Sequence, residues 1–430
     1  MKIAEIYSLY SECNGVSTDT RNILPKSMFF ALKGSNFDAN DFALEALEKE
    51  ASYAVVDHSD FKKFHNDRLI IVNDVLTCLQ ELASFHRQHI GLPIIALTGS
   101  NGKTTSKELL NAVLSKHYNT IATIGNLNNH IGVPLSLLRL NEETDLGIIE
   151  MGANHQQEIE HLCEIAQPDF GFVTNFGRAH LEGFGGSEGV IKGKSEMYAF
   201  LENHHKTAFV NFDDPIQVQK SEKVNRFGFS MKQHPDAKVH ITKAYAQPMA
   251  TLEINNTTIV SNMTGLYNLP NLAFAVSIGL FFNIPTATIK KAIEEYIPQN
   301  NRSQWLEKNN RKFLMDAYNA NPSSMHVAIE NFQQLKEADK LMILGDMFEL
   351  GNESATEHRQ IIQEVINTKI AAFFIGNQFF EQQITNENLN YFKNLSDFIA
   401  YLKKEQLNHS LLLIKGSRAM ELEQILNHID

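Results

Sequence analysis

Cysteine is scarce in this chain of 430 residues: Cys13, Cys78 and Cys163 are the only three. They lie far apart and lack the close spacing of a metal site, so reduced, structural thiols in a cytoplasmic protein are expected. A basic excess is also missing. Lys and Arg number 38 against 50 Asp and Glu, a formal net charge of -12. That argues against a nucleic-acid partner, which would want a basic stripe. No apolar run reaches ~18 residues, so no membrane span is expected. Met1-Lys2-Ile3-Ala4-Glu5 has no signal-peptide apolar core. Low-complexity tracts and short-period repeats are lacking too. What remains is an ordinary globular composition, long enough for roughly two to four domains.

Against this background one segment stands out. The apolar run Ile94-Ile95-Ala96-Leu97 feeds Thr98-Gly99-Ser100-Asn101-Gly102-Lys103-Thr104-Thr105, and a helical pattern follows from Lys107 to Lys116. A strand, a glycine-rich turn and a helix in that order build a phosphate cradle from backbone N–H groups and the positive helix end. Lys103 can reach the β- and γ-phosphates, and the Thr104 hydroxyl can hold Mg²⁺. The usual spacing would put a glycine where Leu97 stands. The loop is therefore a short variant.

Around it the chain divides into three α/β units. Residues 1–84 form the first, with strands at Met28–Leu32, Tyr53–Val56 and Leu69–Val72 and a helix from Val75 to His89. Val16–Arg21 reads as a polar turn. Residues 85–298 form the second. Strands at Ile94–Leu97, Thr120–Ile124, Leu146–Glu150, Phe170–Thr174 and Thr207–Phe212 alternate with helices, which predicts a mostly parallel covered sheet. Beyond Arg226, Val239–Ala244, Ala250–Ile254 and Thr257–Ser261 read as antiparallel strands, followed by helices at Asn271–Phe282 and Ala287–Tyr296. The polar break at 298–301 opens the third unit, residues 299–430. Its strands are Lys312–Ala317, Lys340–Leu344, Ala371–Ile375 and Ser410–Ile414. This unit is Rossmann-like, but it lacks a Gly-x-Gly-x-x-Gly turn, so no dinucleotide is implied.

The candidate chemistry sits at strand ends. Glu150 closes a buried strand at the sheet edge that carries the phosphate loop, where it can join Thr104 on Mg²⁺. His180 lies in the glycine-rich loop after Phe170–Thr174. It reads either as a metal or phosphate ligand or as a plain polar residue. The loop from Gly125 to Pro134 offers the amides of Asn126, Asn128 and Asn129 to a polar ligand, although asparagine is also common in turns. Asn268 could cap the next helix, and Asn271 could read a base edge. Lys192 and Lys194 share a helix, and spacing alone gives neither a special part.

These pieces together resemble the Mur ligase family of ATP-dependent amide-bond formers, in that family's three-domain order over essentially the whole chain. The short loop Thr98–Thr105 looks like the family's phosphate loop. Glu150, His180, Asn268, Asn271, Arg302 and Asp316 match family positions. Four motifs resemble the branch that adds D-alanyl-D-alanine: Gly125–Pro134, His180–Gly185, Asp316–Met325 and Leu344–Gly351. The Asp-Asn-Pro-Arg string of the diamino-acid-adding branch is absent. Phe37-Asp38-Ala39-Asn40-Asp41-Phe42 departs from the Gly-His-rich version typical of the first domain.

The resemblance implies a set of roles. The first unit would bind the UDP-sugar, near Ser17, Thr18 and Asp19, with Asn126 and Asn129 near the sugar-phosphate. The second would bind ATP through Gly99, Ser100, Asn101, Gly102, Lys103, Thr104 and Thr105, with Asn268 and Asn271. Arg302 and Asp316 would engage ADP from the side of the third unit, and Asn319 and Asn321 would contact substrate. Two Mg²⁺ ions are expected, on Thr104, Glu150, His180 and a carbamylated Lys194, with Lys192 as the neighbouring alternative. The implied activity is ADP-forming addition of D-alanyl-D-alanine to a UDP-MurNAc-tripeptide, by a cytoplasmic monomer that serves peptidoglycan synthesis. The alternatives are a related Mur or folylpolyglutamate-type ligase adding a different amino acid, and a nucleotide-binding protein that has lost catalysis.

Overall fold

The computed structural model describes residues 1–299 and 301–429. Asn300, part of the expected break at 298–301, and Asp430 lie outside the described residues. The first sheet is parallel, in the order β1 (Val16–Ser17), β2 (Met28–Phe30), β3 (Tyr53–Val56) and β4 (Leu69–Ile71). Val16 and Ser17, expected in a turn, instead pair with Met28 and Phe29 as its edge.

The second unit contributes β5 (Ile94–Thr98), β6 (Thr120–Ala122), β7 (Leu146–Glu150), β8 (Phe170–Val173), β9 (Thr207–Asn211), β10 (Asn225–Ser230) and β11 (Val239–His240). They form one parallel sheet in the order β11-β10-β9-β8-β5-β7-β6. The strands β5 and β7 are buried throughout, as a sheet covered on both faces requires. One face packs on the helices Val75–Ile90, Glu158–Ala166 and Ser187–Asn203, and the other on Lys103–Leu114, Leu269–Phe281 and Thr286–Glu295. The antiparallel set is β12 (Lys243–Ala246), β13 (Ala250–Ile254) and β14 (Thr257–Val260). The sequence placed its start at Val239. That residue instead lies in β11, parallel to β10.

The expected boundary at residue 84 falls inside one continuous helix, Val75–Ile90. Its start is capped by Asp74, which accepts from Thr77 N at 2.6 Å. Its far half belongs to the second unit. Ser84 Oγ donates to Ile165 O at 3.2 Å, and Arg87 pairs with Asp169 at 2.7 Å. The helix thus ties the two units together.

The third unit comprises β15 (Gln304–Lys308), β16 (Arg311–Asp316), β17 (Lys340–Gly345), β18 (Ala371–Ile375), β19 (Leu389–Phe392) and β20 (Leu411–Lys415), ordered β15-β16-β20-β17-β18-β19. Only β15 runs antiparallel to its neighbour. Among the described residues no helix is long and apolar enough to cross a membrane.

Candidate active site

The strand β5 delivers the phosphate loop, and the loop is bolted to the exit of β8. Ser100 N donates to Asn175 O at 3.1 Å, Ser100 Oγ to Gly177 O at 2.7 Å, and Thr174 Oγ1 to Asn101 O at 2.6 Å. Gly99 makes that approach possible. Its φ is +142°, and a Cβ there would sit 2.0 Å from Thr174 Oγ1. Gly99→Ala therefore combines backbone strain of about 1–3 kcal/mol with a steric clash. The expected result is nucleotide affinity lowered at least about tenfold, read by calorimetric titration. Gly102 then turns into the helix Lys103–Leu114 with φ +78°. No side chain caps this helix, and its first turn holds no acid. Its leading N–H groups are thereby left for an anion.

Lys103 Nζ donates to Gly99 O at 2.7 Å. The residue as a whole is half-buried, and its amine is desolvated against the carbonyls of its own loop. That desolvation lowers its pKa. Glu150 opposes the shift, and the charge of Arg302 adds to it. Thr104 Oγ1 donates to Glu150 Oε1 at 3.2 Å, and Asn128 Nδ2 donates to the same oxygen at 2.8 Å. Glu150 is 1% exposed, and among the described residues its Oε2 has no hydrogen-bond partner. A buried, orphaned carboxylate oxygen beside a threonine hydroxyl fits a hard cation. Among the described residues no three His, Cys, Asp or Glu side chains form a ready metal cage. Mg²⁺ bound mainly by a carboxylate, phosphates and water needs none.

Sequence reasoning missed Lys107, which is fully buried. Its Nζ donates to Thr123 O at 2.7 Å and lies 3.8 Å from Glu150 Oε2. Asn128 was noticed only as one amide among several. Asn129, expected near substrate, accepts from Ile131 N and Gly132 N at 3.1 and 2.9 Å, and so caps its own turn. Asn126 lines the cavity.

Lys194 is 1% exposed and donates to Ala153 O at 3.0 Å, with Phe184 beneath it at 5.0 Å. Burial, reinforced by the charge of Lys103, pushes its pKa well below the usual lysine range. Lys192 is exposed. Lys194 is not itself a wall of the cavity; it lies behind Ala153, which is. His180, with φ +53°, pairs through Nδ1 with Glu349 of the third unit.

Asn268 precedes the helix Leu269–Phe281 but does not cap it with its side chain. Its Nδ2 donates to Thr264 O at 2.7 Å, and its Oδ1 accepts from Asn271 Nδ2 at 3.1 Å. Asn271 Oδ1 in turn accepts from Ser106 Oγ at 3.0 Å, beside the phosphate loop.

From the third unit, Arg302 stacks on Tyr318 at 3.5 Å, and Asp316 pairs with the buried Lys415 at 2.6 Å. Asn319 Oδ1 accepts from Ala320 N at 2.9 Å. Asn321 caps the helix Pro322–Gln334 and also donates to Asn101 Oδ1 at 2.7 Å. A second bridge joins the units here. Arg178 pairs with Glu353 at 2.7 Å and Glu357 at 2.6 Å, and its N–H donates to Ser323 Oγ at 2.9 Å.

The result is one interdomain cavity of about 1050 Å³, walled by Ser100–Thr105, Glu150 and His180 on one side and by Asp316, Asn319, Asn321 and Glu349 on the other. Asn126, Asn129, Asn268, Asn271 and Arg302 line it as well. Ser17, Thr18 and Asp19 do not. Ser17 accepts from Leu24 N, and Asp19 pairs with Arg21 on the outer surface.

The chain matches the Mur ligase middle domain over residues 97–279 and the Mur ligase, glutamate ligase domain over 301–418. It is 30% identical over 426 residues to the UDP-N-acetylmuramoyl-tripeptide–D-alanyl-D-alanine ligase of Bacillus subtilis, covering 97% of this chain and 93% of that one. The ligase of the same name from Escherichia coli is 32% identical over 96% of this chain and 92% of its own length. Among solved structures, MurF from Acinetobacter baumannii superposes with a TM-score of 0.84 at 29% identity, over 96% of this chain and 92% of that one. The likeness runs through both the phosphate-loop unit and the Rossmann-like third unit of this chain and covers more than nine-tenths of these relatives, and the chain belongs to the Mur ligase family.

Proposed function

We infer that this protein joins D-alanyl-D-alanine to a UDP-MurNAc-tripeptide, with conversion of ATP to ADP and phosphate. The observation that carries this reading is the single cavity in which the phosphate loop and Glu150 face the motifs around Asp316 and Glu349. A carboxylate is a poor electrophile, so the tripeptide's terminal carboxylate first takes the γ-phosphoryl group, giving an acyl phosphate and ADP. The dipeptide amine then attacks the acyl carbon. Its proton is lost, the C–O bond to phosphate breaks, and an amide remains. Catalysis of this kind depends on positioning and charge neutralisation.

Lys103 and the free N–H groups of its helix hold the phosphates of ATP. Thr104 and Glu150 would hold one Mg²⁺, and His180 with a carbamylated Lys194 would serve the second. Bound there, Mg²⁺ offsets charge on the phosphoryl oxygens. Burial lowers the pKa of Lys194 and so raises its unprotonated fraction, which suits it for carbamylation, because only an unprotonated amine adds carbon dioxide. Asn271 and Asn268 bound the nucleotide side, with Arg302 and Asp316 closing it. The UDP end lies on the first unit near Ser17, Thr18 and Asp19. Asn319 and Asn321 face the substrate side, Asn321 chiefly by setting its helix. Closure of the third unit keeps water from the acyl phosphate. The same reading has the protein working as a monomer in the cytoplasm.

Purified protein should release ADP only when both the tripeptide nucleotide and D-alanyl-D-alanine are present. Turnover with a free diamino acid in place of the dipeptide would assign a different branch of the family.

A further inference from the structure

We propose that Arg418 binds the free carboxylate of the acceptor dipeptide and so selects acceptors that carry one. This rests on the acceptor assigned above. An amine that attacks beside the phosphate loop leaves the dipeptide carboxylate pointing away from it, toward the third unit. On that side of the cavity the carboxylate is best held by a charged hydrogen-bond donor.

Few full cations line the cavity: Lys103, Arg302, Lys415 and Arg418. Lys103 lies against its own loop, bonded to Gly99 O at 2.7 Å. Arg302 is stacked on Tyr318, close enough to Lys103 to act on its charge. Lys415 is buried and bonded to Asp316 at 2.6 Å and to Asn319 O at 3.3 Å. All three belong to the nucleotide side or to the frame of the third unit.

Arg418 is different. It is exposed and lies in the turn just beyond β20. Its Nη1 pairs with Glu423, and among the described residues its Nε and Nη2 make no hydrogen bond. Glu423 therefore steadies the guanidinium by one corner and leaves the Nε–Nη2 edge open. That edge presents two parallel N–H donors, the geometry that matches both oxygens of a carboxylate.

The neighbourhood suits a small dipeptide. Phe348 lines the same cavity and is 43% exposed, which leaves apolar surface for a methyl group. Its N–H donates to Ser417 Oγ at 3.0 Å, so the phenylalanine and Arg418's turn are fixed to each other. Ser417 N also donates to Asp346 O at 3.1 Å, a second tie between the two loops.

The test compares D-alanyl-D-alanine with its C-terminal amide, using ADP release by the full-length protein. Wild type should prefer the dipeptide by about tenfold or more in kcat/KM, the range expected for losing a charge-assisted hydrogen-bonded pair at a part-exposed site. R418A should raise KM for the dipeptide by a similar factor. KM for ATP and turnover of the amide should stay within about threefold. The preference then collapses toward one. R418K should keep part of it, because an ammonium lacks the fork. R418Q provides a second neutral variant, and melting curves report whether each folds. Retention of the wild-type preference by R418A and R418Q overturns the proposal. So does an equal loss with both acceptors, or a wild type that does not discriminate. Wild type that releases no ADP with the dipeptide overturns the assigned reaction instead, so the two failures are distinguishable.

Discussion

Lys103→Ala is expected to lower ADP release by roughly a thousandfold or more while leaving the melting temperature nearly unchanged. The magnitude follows from Coulomb attraction. One positive charge about 4 Å from developing negative charge, at an effective dielectric near 20, contributes about 4 kcal/mol, or about three powers of ten in rate. The stability expectation follows from what the side chain does at rest. Among the described residues its amine bonds only to Gly99 O and Ser100 O, both in its own loop. Desolvation already lowers its pKa, so losing the amine removes a cost as well as two hydrogen bonds. A variant that keeps a tenth of wild-type turnover would show that the phosphate cradle acts without this charge.

The second large effect is expected at Lys194. Lys194→Ala should reduce turnover by about a hundredfold or more, with partial recovery in millimolar formate or acetate; the loss is of the size seen when one fixed charge stabiliser is removed. Lys192→Ala, on the exposed side of the same helix, should behave like wild type. The reasoning runs through protonation. Burial first, and then the charge of Lys103, depress the Lys194 pKa. The amine is therefore neutral at a pH where an ordinary lysine is charged. Carbamylation forms an N–C bond to carbon dioxide and releases a proton. It is favoured as pH rises through the depressed pKa and reversed as pH falls below it. Carbon-13 NMR after addition of labelled bicarbonate should show one carbamate signal in wild type, lost in Lys194→Ala. A signal that persists in that variant would place the modification elsewhere.

Much of the fold was legible because parallel strands buried on both faces read as short apolar runs. The parallel strands Leu146–Glu150 and Ala371–Ile375 agree with the structure to the residue, as does the antiparallel Ala250–Ile254. β10 escaped notice because Gly228 interrupts Asn225–Ser230. A Cβ at that glycine would lie 1.9 Å from Val210 O, so it marks close strand packing rather than a break. β15 was missed because Gln304–Lys308 is half-buried at the sheet edge, with little apolar pattern. At the site, residues at strand ends could be read from order alone, since the sheet edge collects them. Pairings across units could not. His180 with Glu349 and Asn101 with Asn321 depend on how the third unit docks. Lys107 looked like any lysine on a helix, because nothing local says that Thr123 O waits beneath it.

The loop leaving β8 touches both partners of the cleft at once. Through Asn175 and Gly177 it grips the phosphate loop, and through Arg178 it grips Glu353 and Glu357. Nucleotide occupancy and docking of the third unit are therefore two readings of one mechanical coordinate, as in a clutch whose plate is shared by engine and shaft. Because the Arg178 grip is ionic and part-exposed, added salt should slip the clutch before it disturbs either half.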